Sequence, residues 1–274
     1  MKKAKLAYAI WPWGLEEKEQ MIQALKDVKS IGYNAFESVE SAIDLFDNNV
    51  KMFKEVIAEY DVWPVSFYFW QKGDFKKDSE RLKRKLDFMA ELGIQRMSVQ
   101  APNRKVEMKL DEVLELINHW GELAAPYGIL PCIHPHHGTL VMYEEEIDFI
   151  MQNTDPRKIA FGPDTAHLVA GRCDPVEIFA RYAERIAFVH LKDLKKAEEL
   201  ETTDDRHGFE VYGNFMELGE GDIYFAPIFK VLDDVSYDGY LTLELDRSRT
   251  TNAHSAQINM DYMQTHHYKR GLFP

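Results

Sequence analysis

Four side chains that commonly bind transition metals stand at the ends of four successive β-rich runs in the second half of the chain. They are His134, Asp164, His190 and Glu244. Imidazole and carboxylate groups together suit a first-row divalent cation, whereas Ca²⁺ and Mg²⁺ sites use oxygen ligands. Two carboxylates and two imidazoles gathered without a cation would be unfavourable unless they paired with one another. The residues therefore predict a metal site, for which we expect Mn²⁺, with Co²⁺, Fe²⁺ and Zn²⁺ as alternatives.

Side chains near these four could move protons or stabilise charge. Because strand side chains alternate between faces, His136 and Lys192 each share the face of the ligand two residues before them. Histidine and carboxylate groups act as general bases, and a lysine ammonium can stabilise an oxyanion. His167 could shuttle a proton or orient Asp164, which lies three residues earlier. The candidate catalytic residues are Glu244, His136, His167 and Lys192.

Other strand ends offer groups that could bind a polar organic substrate. A tryptophan there presents a flat apolar face to the C–H side of a sugar, although core packing is an equally common role. Amide, carboxylate and imidazole groups can hydrogen-bond to hydroxyls. The candidate substrate-binding residues are Trp11, Trp13, Glu37, Glu40, Gln100, His137 and Asp246. His137 competes with His136 for the inward position, because Pro135 interrupts the strand before them.

Eight β-rich runs must position these residues, and they recur at a fairly steady interval. The runs are Lys5–Ile10, Asn34–Val39, Trp63–Phe69, Arg96–Gln100, Leu130–His134, Ile159–Asp164, Ile186–His190 and Tyr240–Leu245. Amphipathic stretches between them have the spacing of helices, and Gly32, Gly93 and Gly128 stand where a helix would end. Eight strand–helix units allow a closed barrel or a long open sheet. The first run is followed by Trp-Pro-Trp-Gly and not by a glycine-rich phosphate loop, which favours the barrel.

The predicted fold is therefore an α/β protein with a (β/α)8 TIM barrel, a single domain over residues 1–274. Such barrels commonly reach about 250 residues as one domain, and their active sites lie at the carboxyl ends of the strands. A charged stretch at residues 194–222 predicts a long loop over that face, with a disordered surface insertion as the alternative.

Charge and composition exclude several classes of protein. With 33 basic and 46 acidic side chains the net charge is −13, which disfavours nucleic acid binding. No apolar run approaches the roughly 20 residues of a membrane-spanning helix, and the apolar stretch near the amino terminus is too short for a signal peptide. The two cysteines, Cys132 and Cys173, provide no disulfide framework and suit a reducing compartment. We expect a cytoplasmic protein that binds neither nucleic acid nor membrane.

The chain resembles the xylose-isomerase-like TIM barrel superfamily in the segments HPHHGT, EEEID, DTAHLVAGRCDPVEIFARYAERI, VHLKD, GEGDIYFAPIF and YDGYLTLELD. This superfamily includes sugar isomerases, ketose epimerases, inosose dehydratases and endonuclease IV, and the sequence is most similar to the inosose dehydratase branch. In the isomerases and epimerases, Glu, Asp, His and Glu from strands five to eight hold the metal. That pattern maps onto His134, Asp164, His190 and Glu244, with histidine in place of the first glutamate, which in those enzymes also acts as a base.

The resemblance implies a divalent-metal-dependent sugar isomerase or epimerase that removes a proton α to the carbonyl of a keto-sugar or cyclitol. His134 removes one of the two carboxylates that would pass a proton between adjacent carbons, so it favours an asymmetric step. Dehydration, as in inosose dehydratases, is such a step. Elimination of an aglycone from a 3-keto-glycoside, as in C-glycoside-cleaving relatives, is another. An endonuclease IV-like repair enzyme is disfavoured by the acidic charge and by the absence of further histidine and glutamate ligands.

Besides a sugar enzyme and a repair enzyme, a third candidate class of function is non-catalytic. The chain would then be a binding barrel, or one subunit of a hetero-oligomer in which another subunit completes the chemistry. The bulky run at residues 266–273 is a candidate interface in a homo-oligomer or hetero-oligomer. A helix end packed on the barrel is the alternative interpretation of that run.

Overall fold

The computed structural model describes residues 4–72, 74–195 and 213–266, which form a barrel of parallel strands surrounded by helices. The strands are β1 Lys5–Ala9, β2 Ala35–Val39, β3 Trp63–Trp70, β4 Arg96–Gln100, β5 Leu130–Ile133, β6 Ala160–Phe161, β7 Val189–Leu191, β8 Asp193–Leu194, β9 Phe215–Met216 and β10 Tyr240–Leu243. The α-helices are α1 Lys18–Ile31, α2 Val50–Tyr60, α3 Phe75–Glu91, α4 Leu110–Ala124, α5 Glu144–Asn153, α6 Thr165–Ala170, α7 Pro175–Arg181, α8 Phe225–Asp234 and α9 Asn252–His266. Short 3₁₀ helices occupy Trp11–Trp13, Glu40–Phe46, Ala125–Tyr127 and Ala183–Arg185.

Eight of these strands form the barrel wall in the order β6-β5-β4-β3-β2-β1-β10-β7. Every neighbouring pair is parallel. Two backbone hydrogen bonds join the ends of this sheet, from the amide of Ala187 to the carbonyl of Phe161 and from the amide of His190 to the carbonyl of Pro163. The predicted (β/α)8 barrel is confirmed.

Some strands are shorter than their predicted runs. The sixth spans Ala160–Phe161 and not Ile159–Asp164, and the seventh spans Val189–Leu191 and not Ile186–His190. Pro163 has no amide hydrogen to donate to a ladder, which accounts for the early end of β6. As a result, Asp164 stands at the start of α6 and not inside a strand.

The helices pack on the barrel through the faces that their sequences predict. Helix α4 buries Val113, Leu116, Ile117, Trp120 and Ala124, which recur at spacings of three and four residues. Full burial of a valine, leucine or isoleucine side chain contributes roughly 1.5–3 kcal/mol to folding. Helix α1 ends at Gly32, whose φ of 112° is the left-handed conformation that glycine adopts without strain.

Two short strands, β8 and β9, lie near the two ends of the predicted loop at residues 194–222. β8 pairs antiparallel with β9, and the side chain of Asp193 accepts backbone N–H groups of Leu194, Gly219, Gly221 and Ile223. A Cβ at residue 221 would lie 2.3 Å from Asp193 Oδ1, so this close approach requires glycine. Residues 196–212 lie outside the described part of the chain, so the long loop and the single-domain span 1–274 stay predictions.

Two further expectations concern the surface and the cysteines. No helix in the described ranges is both long and apolar enough to cross a bilayer. Cys132 and Cys173 are both buried and form no disulfide. Of the predicted interface run, His266 is the last residue of α9, and residues 267–273 lie outside the described ranges.

Candidate metal centre and cavity

A cavity of about 580 Å³ opens at the carboxyl ends of the barrel strands. Its volume lies within the range that small-molecule sites occupy. The lining residues are Trp11, Gly14, Leu15, Glu16, Val39, Ser41, Tyr68, Trp70, Gln71, Gln100, Asn103, His134, His136, Glu244 and Asp246. The predicted location of the site, at this end of the barrel, therefore coincides with a cavity.

The four predicted metal ligands converge beneath this cavity from four elements. His134 follows β5, His190 is the middle residue of β7, and Glu244 follows β10. Asp164 caps α6, where one of its carboxylate oxygens accepts the backbone N–H of His167 at 2.7 Å. All four side chains are almost completely buried.

Potential ligand atoms lie close together in three overlapping groups. Within each group these atoms are within 4.8 Å of one another. The groups are His134, Asp164 and His190; Asp164, His167 and Glu244; and His134, His136 and His167. Asp164 belongs to the first two groups, and Oε2 of Glu244 lies 3.9 Å from Nδ1 of His190, so the four predicted ligands are neighbours.

The donor set fits a divalent cation. Asp164 Oδ2 and Glu244 Oε2 are buried and make no hydrogen bond with any described residue. Buried carboxylate oxygens without a hydrogen-bond donor are rare and unfavourable unless a cation balances them. When ionised, Glu37, Asp164, Glu244 and Asp246 carry four negative charges against two positive charges, on Lys192 and on the imidazolium of His190, a difference of two. A divalent ion at these oxygens would offset this excess.

Burial and neighbouring charges set the protonation of the imidazoles. Burial lowers the pKa of His134 and His167 well below the usual value, and it lowers that of His136 to about 4. Burial by itself would also lower the pKa of His190, but Glu37 and Glu244 outweigh it and raise the pKa to about 9. Three of the four histidines are therefore neutral near pH 7 and carry a nitrogen lone pair, whereas His190 would give up a proton on binding a metal.

Lys192 lies at the centre of the acidic groups. Its ammonium donates to Glu244 and, at 2.8 Å, to Asp246, and it lies 3.6 Å from Asp164 Oδ2. His167 Nε2 is 3.1 Å away. Although burial opposes the charge, the three carboxylates raise the pKa of Lys192 well above its usual value. The lysine is thus a permanent cation beside the predicted ligands.

The structure brings some of the predicted substrate-binding residues to the cavity and places others elsewhere. Trp11, Gln100 and Asp246 line the cavity, as does the candidate base His136. Gln100 also accepts a hydrogen bond from the hydroxyl of Tyr68 at 2.8 Å.

Four other predicted substrate-binding residues are not among those that line the cavity. Trp13 donates to Asp27 on α1, and Glu40 forms an ion pair with Arg81 on α3. His137 is buried, and its backbone N–H donates to His167 Nδ1 at 3.3 Å. Glu37 is completely buried and bonds to His190 Nε2.

A sequence model of the xylose isomerase-like TIM barrel matches residues 25–266 of this chain. The match covers most of the barrel and all four predicted ligands. The chain belongs to the xylose isomerase-like TIM barrel family. The resemblance found from the sequence segments is thereby confirmed.

Relatives of known name in this family include inosose dehydratases. That of Lactiplantibacillus plantarum is 33% identical over 161 residues, which cover 57% of this chain and 54% of the relative. The chain thus spans about half the length of that relative. The inosose dehydratase of Geobacillus kaustophilus is 27% identical over 262 residues, which cover 85% of this chain and 82% of the relative.

Two solved structures superimpose on nearly the whole chain. The IOLI protein with a binding zinc atom has a TM-score of 0.76 at 15% identity, and the alignment covers 95% of this chain and 97% of the IOLI chain. A 3-keto-D-glucoside 4-epimerase from E. coli has a TM-score of 0.72 at 17% identity, with coverages of 96% and 100%. At these identities the likeness shows the fold.

Several cavity residues of this xylose isomerase-like barrel were missed by reasoning from strand ends. Tyr68 and Trp70 come from β3, Asn103 follows β4, and Gln71 follows β3. Alternation along β3 puts Tyr68 on the face of the buried Ser66, a signal that could have found it. Gln71 and Asn103 lie in loops, where no periodic signal exists.

Proposed function

We propose that this chain is a divalent-metal-dependent enzyme that removes a proton α to the carbonyl of a keto-sugar or keto-cyclitol. The supporting observation is that Asp164 Oδ2 and Glu244 Oε2, buried beside His134 and His190 under an open cavity, accept no hydrogen bond from the described residues. A bound cation would polarise the carbonyl and an adjacent hydroxyl of the substrate and so acidify the α-proton. His134, Asp164, His190 and Glu244 would hold that cation.

His136 is the better placed of the two candidate bases. Its Nδ1 lies 2.8 Å from the carbonyl of His137 and donates to it, so the lone pair of this tautomer is on Nε2. Its ring stacks on that of His167 with centroids 3.7 Å apart, and it lines the cavity. Glu244 is engaged by Lys192 and by the proposed metal, which leaves it less able to accept a proton.

Beside these imidazoles, Lys192 can stabilise an oxyanion or deliver a proton. Its ammonium lies between Glu244, Asp246 and His167. The candidate base and the candidate acid therefore differ in chemistry, since one is a neutral imidazole and the other is a cation. Such asymmetry suits elimination, in which one group takes the α-proton and another protonates the departing hydroxyl.

We infer dehydration as the specific outcome, with isomerisation or epimerisation as the alternative. In dehydration the C–H bond α to the ketone breaks and its proton passes to His136. The C–O bond at the β carbon then breaks, and the hydroxide leaves as water with a proton from the ammonium of Lys192. An α,β-unsaturated ketone remains, so atoms and charge balance. Relatives named inosose dehydratase support this choice over isomerisation.

The test is an incubation of the Mn²⁺-loaded protein with an inosose and with 3-keto-glucosides in D₂O, followed by NMR and by ultraviolet absorbance. An unsaturated ketone is the expected product. Deuterium incorporation without loss of water would replace the dehydratase with an isomerase or epimerase. Absence of exchange with every keto-sugar, in protein shown to contain metal, would overturn the proposed function. Chelator-treated protein is the control and should be inactive.

A further inference from the structure

Glu37 is a buried carboxylate that neither lines the cavity nor belongs to the predicted ligand set. It lies on β2, and its carboxylate Oε2 bonds to Nε2 of His190 across the barrel interior. Its other oxygen, Oε1, makes no hydrogen bond with the described residues. The side chain has no exposed surface, so direct contact with a substrate in the cavity is not the role that its position supports.

The pairing of β2 with β3 is irregular next to Glu37. Between Phe36 and Glu37 it shifts by one residue, so that Glu37 lies opposite Ser66 and Val65 on β3 is skipped. The extra residue is on β3, and such bulges concentrate near active sites. Glu37 therefore lies opposite a bulge and bonds to a predicted ligand.

The ring of His190 is surrounded by aromatic rings and bonded at one edge. Trp11, Tyr68 and Phe188 surround it, with ring centroids 6.1, 6.3 and 5.3 Å from that of His190. Glu37 occupies the Nε2 edge. The opposite edge, Nδ1, lies 2.9 Å from Nδ1 of His134 and 3.9 Å from Oε2 of Glu244. The nitrogen that faces the ligand cluster is thus Nδ1.

We propose that Glu37 is a positioning residue that keeps the proton of His190 on Nε2 and turns the Nδ1 lone pair toward the metal. An imidazole ligates with one nitrogen, and a carboxylate that accepts the proton of the other fixes its tautomer and orientation. Loss of such a partner typically weakens metal binding by about 10–100-fold. The inference rests on the metal site of the proposed function.

The experiment measures Zn²⁺ affinity by competition with a chromophoric chelator, in wild type, Glu37→Gln and Glu37→Ala. Glu37→Gln keeps the shape and one acceptor oxygen but not the charge, so we expect a loss of about tenfold. Glu37→Ala removes the acceptor, and we expect a loss near the upper end of the 10–100-fold range. The matched control is Glu217→Gln, another buried carboxylate, which bonds to Ser255 and should remain within twofold of wild type.

A second measurement reports the tautomer of His190 and begins with the wild type. Long-range ¹H–¹⁵N NMR of the Zn²⁺-loaded wild type should show His190 protonated at Nε2 and metal-bound at Nδ1. In Glu37→Gln this preference should weaken, because an amide can present either its oxygen or its NH₂ group to Nε2. A residue that merely filled space would leave the tautomer unchanged.

Three results would overturn the inference. Zn²⁺ affinity within twofold of wild type in both Glu37 variants would do so, as would metal bound to Nε2 of His190 in the wild type. Either result would leave the proposed function standing. A wild-type protein that bound no Zn²⁺ would instead overturn the proposed function together with this inference.

Discussion

At the carboxyl ends of the barrel strands, one half of the barrel contributes charged side chains and the other half contributes aromatic side chains. The ligand half is formed by the ends of β5, β6, β7 and β10, with His134, Asp164, His190, Glu244 and the buried Lys192. The aromatic half is formed by the ends of β1, β3 and β4, with Trp11, Tyr68, Trp70 and Gln100. The ligand half is almost completely buried, whereas Trp70 is 38% exposed at the rim.

The difference between the two halves suits them to different tasks. Ionic groups act most strongly in a dry environment, where each must also be balanced by another charge. Aromatic faces instead bind the apolar side of a sugar or its substituent and tolerate partial exposure. We therefore expect changes in the ligand half to affect metal content and turnover, and changes in the aromatic half to affect substrate binding.

We expect the largest effect from a substitution in the ligand half, at Asp164. Asp164→Asn keeps an oxygen that can accept the N–H of His167 and cap α6, but it removes the negative charge from Oδ2. We expect bound Mn²⁺ to fall and deuterium exchange to drop about 10³-fold, since metal polarisation supplies several kcal/mol. Asp155→Asn, beside the exposed Arg157, is the control and should retain metal. Full exchange in Asp164→Asn would remove this residue from the metal site.

An intermediate effect is expected at Lys192. Lys192→Met leaves Glu244 and Asp246 without their buried partner, which should lower the free energy of unfolding by about 3–5 kcal/mol. Loss of an oxyanion donor should also lower turnover about 10²-fold. Urea denaturation and steady-state kinetics measure the two. Lys230→Met, at an exposed pair with Asp234, should change stability by less than about 0.5 kcal/mol. Equal losses in the two variants would contradict the role of burial.

The smallest expected effect lies in the aromatic half and uses the two ends of β3. Trp70→Ala should raise KM about tenfold, because an aromatic contact contributes about 0.5–1.5 kcal/mol and burial adds more. Turnover and metal affinity should stay near wild type. Trp63→Ala is the matched control, since Trp63 is 47% exposed at the opposite end of the same strand and outside the cavity lining. A loss of metal in Trp70→Ala would show that the halves are not independent.

Strand periodicity and residue type predicted much of the ligand half. His134, His190 and Glu244 stand within or directly after regular strands, so the prediction that strand ends converge at one face placed them together. Asp164 was predicted at a strand end and lies at a helix cap, three residues after β6, where the loops that follow barrel strands form the site.

Residues in turns beyond strand ends were placed less well. Trp13 and Glu40 lie in 3₁₀ helices after β1 and β2, where alternation no longer applies, and they bond to Asp27 and Arg81 on the helical shell. Glu37 lies within a strand, but its partner His190 is 153 residues away in the chain. No local sequence pattern predicts the contact between these two residues.

The sequence by itself predicted the repeated strand–helix units, the barrel and the four candidate ligands, because periodicity and residue chemistry are local properties. Only the tertiary structure placed Glu37 against His190, Lys192 among three carboxylates, and Tyr68 and Trp70 at the cavity. Those placements depend on distances between side chains from different strands, and such distances exist only once the barrel closes.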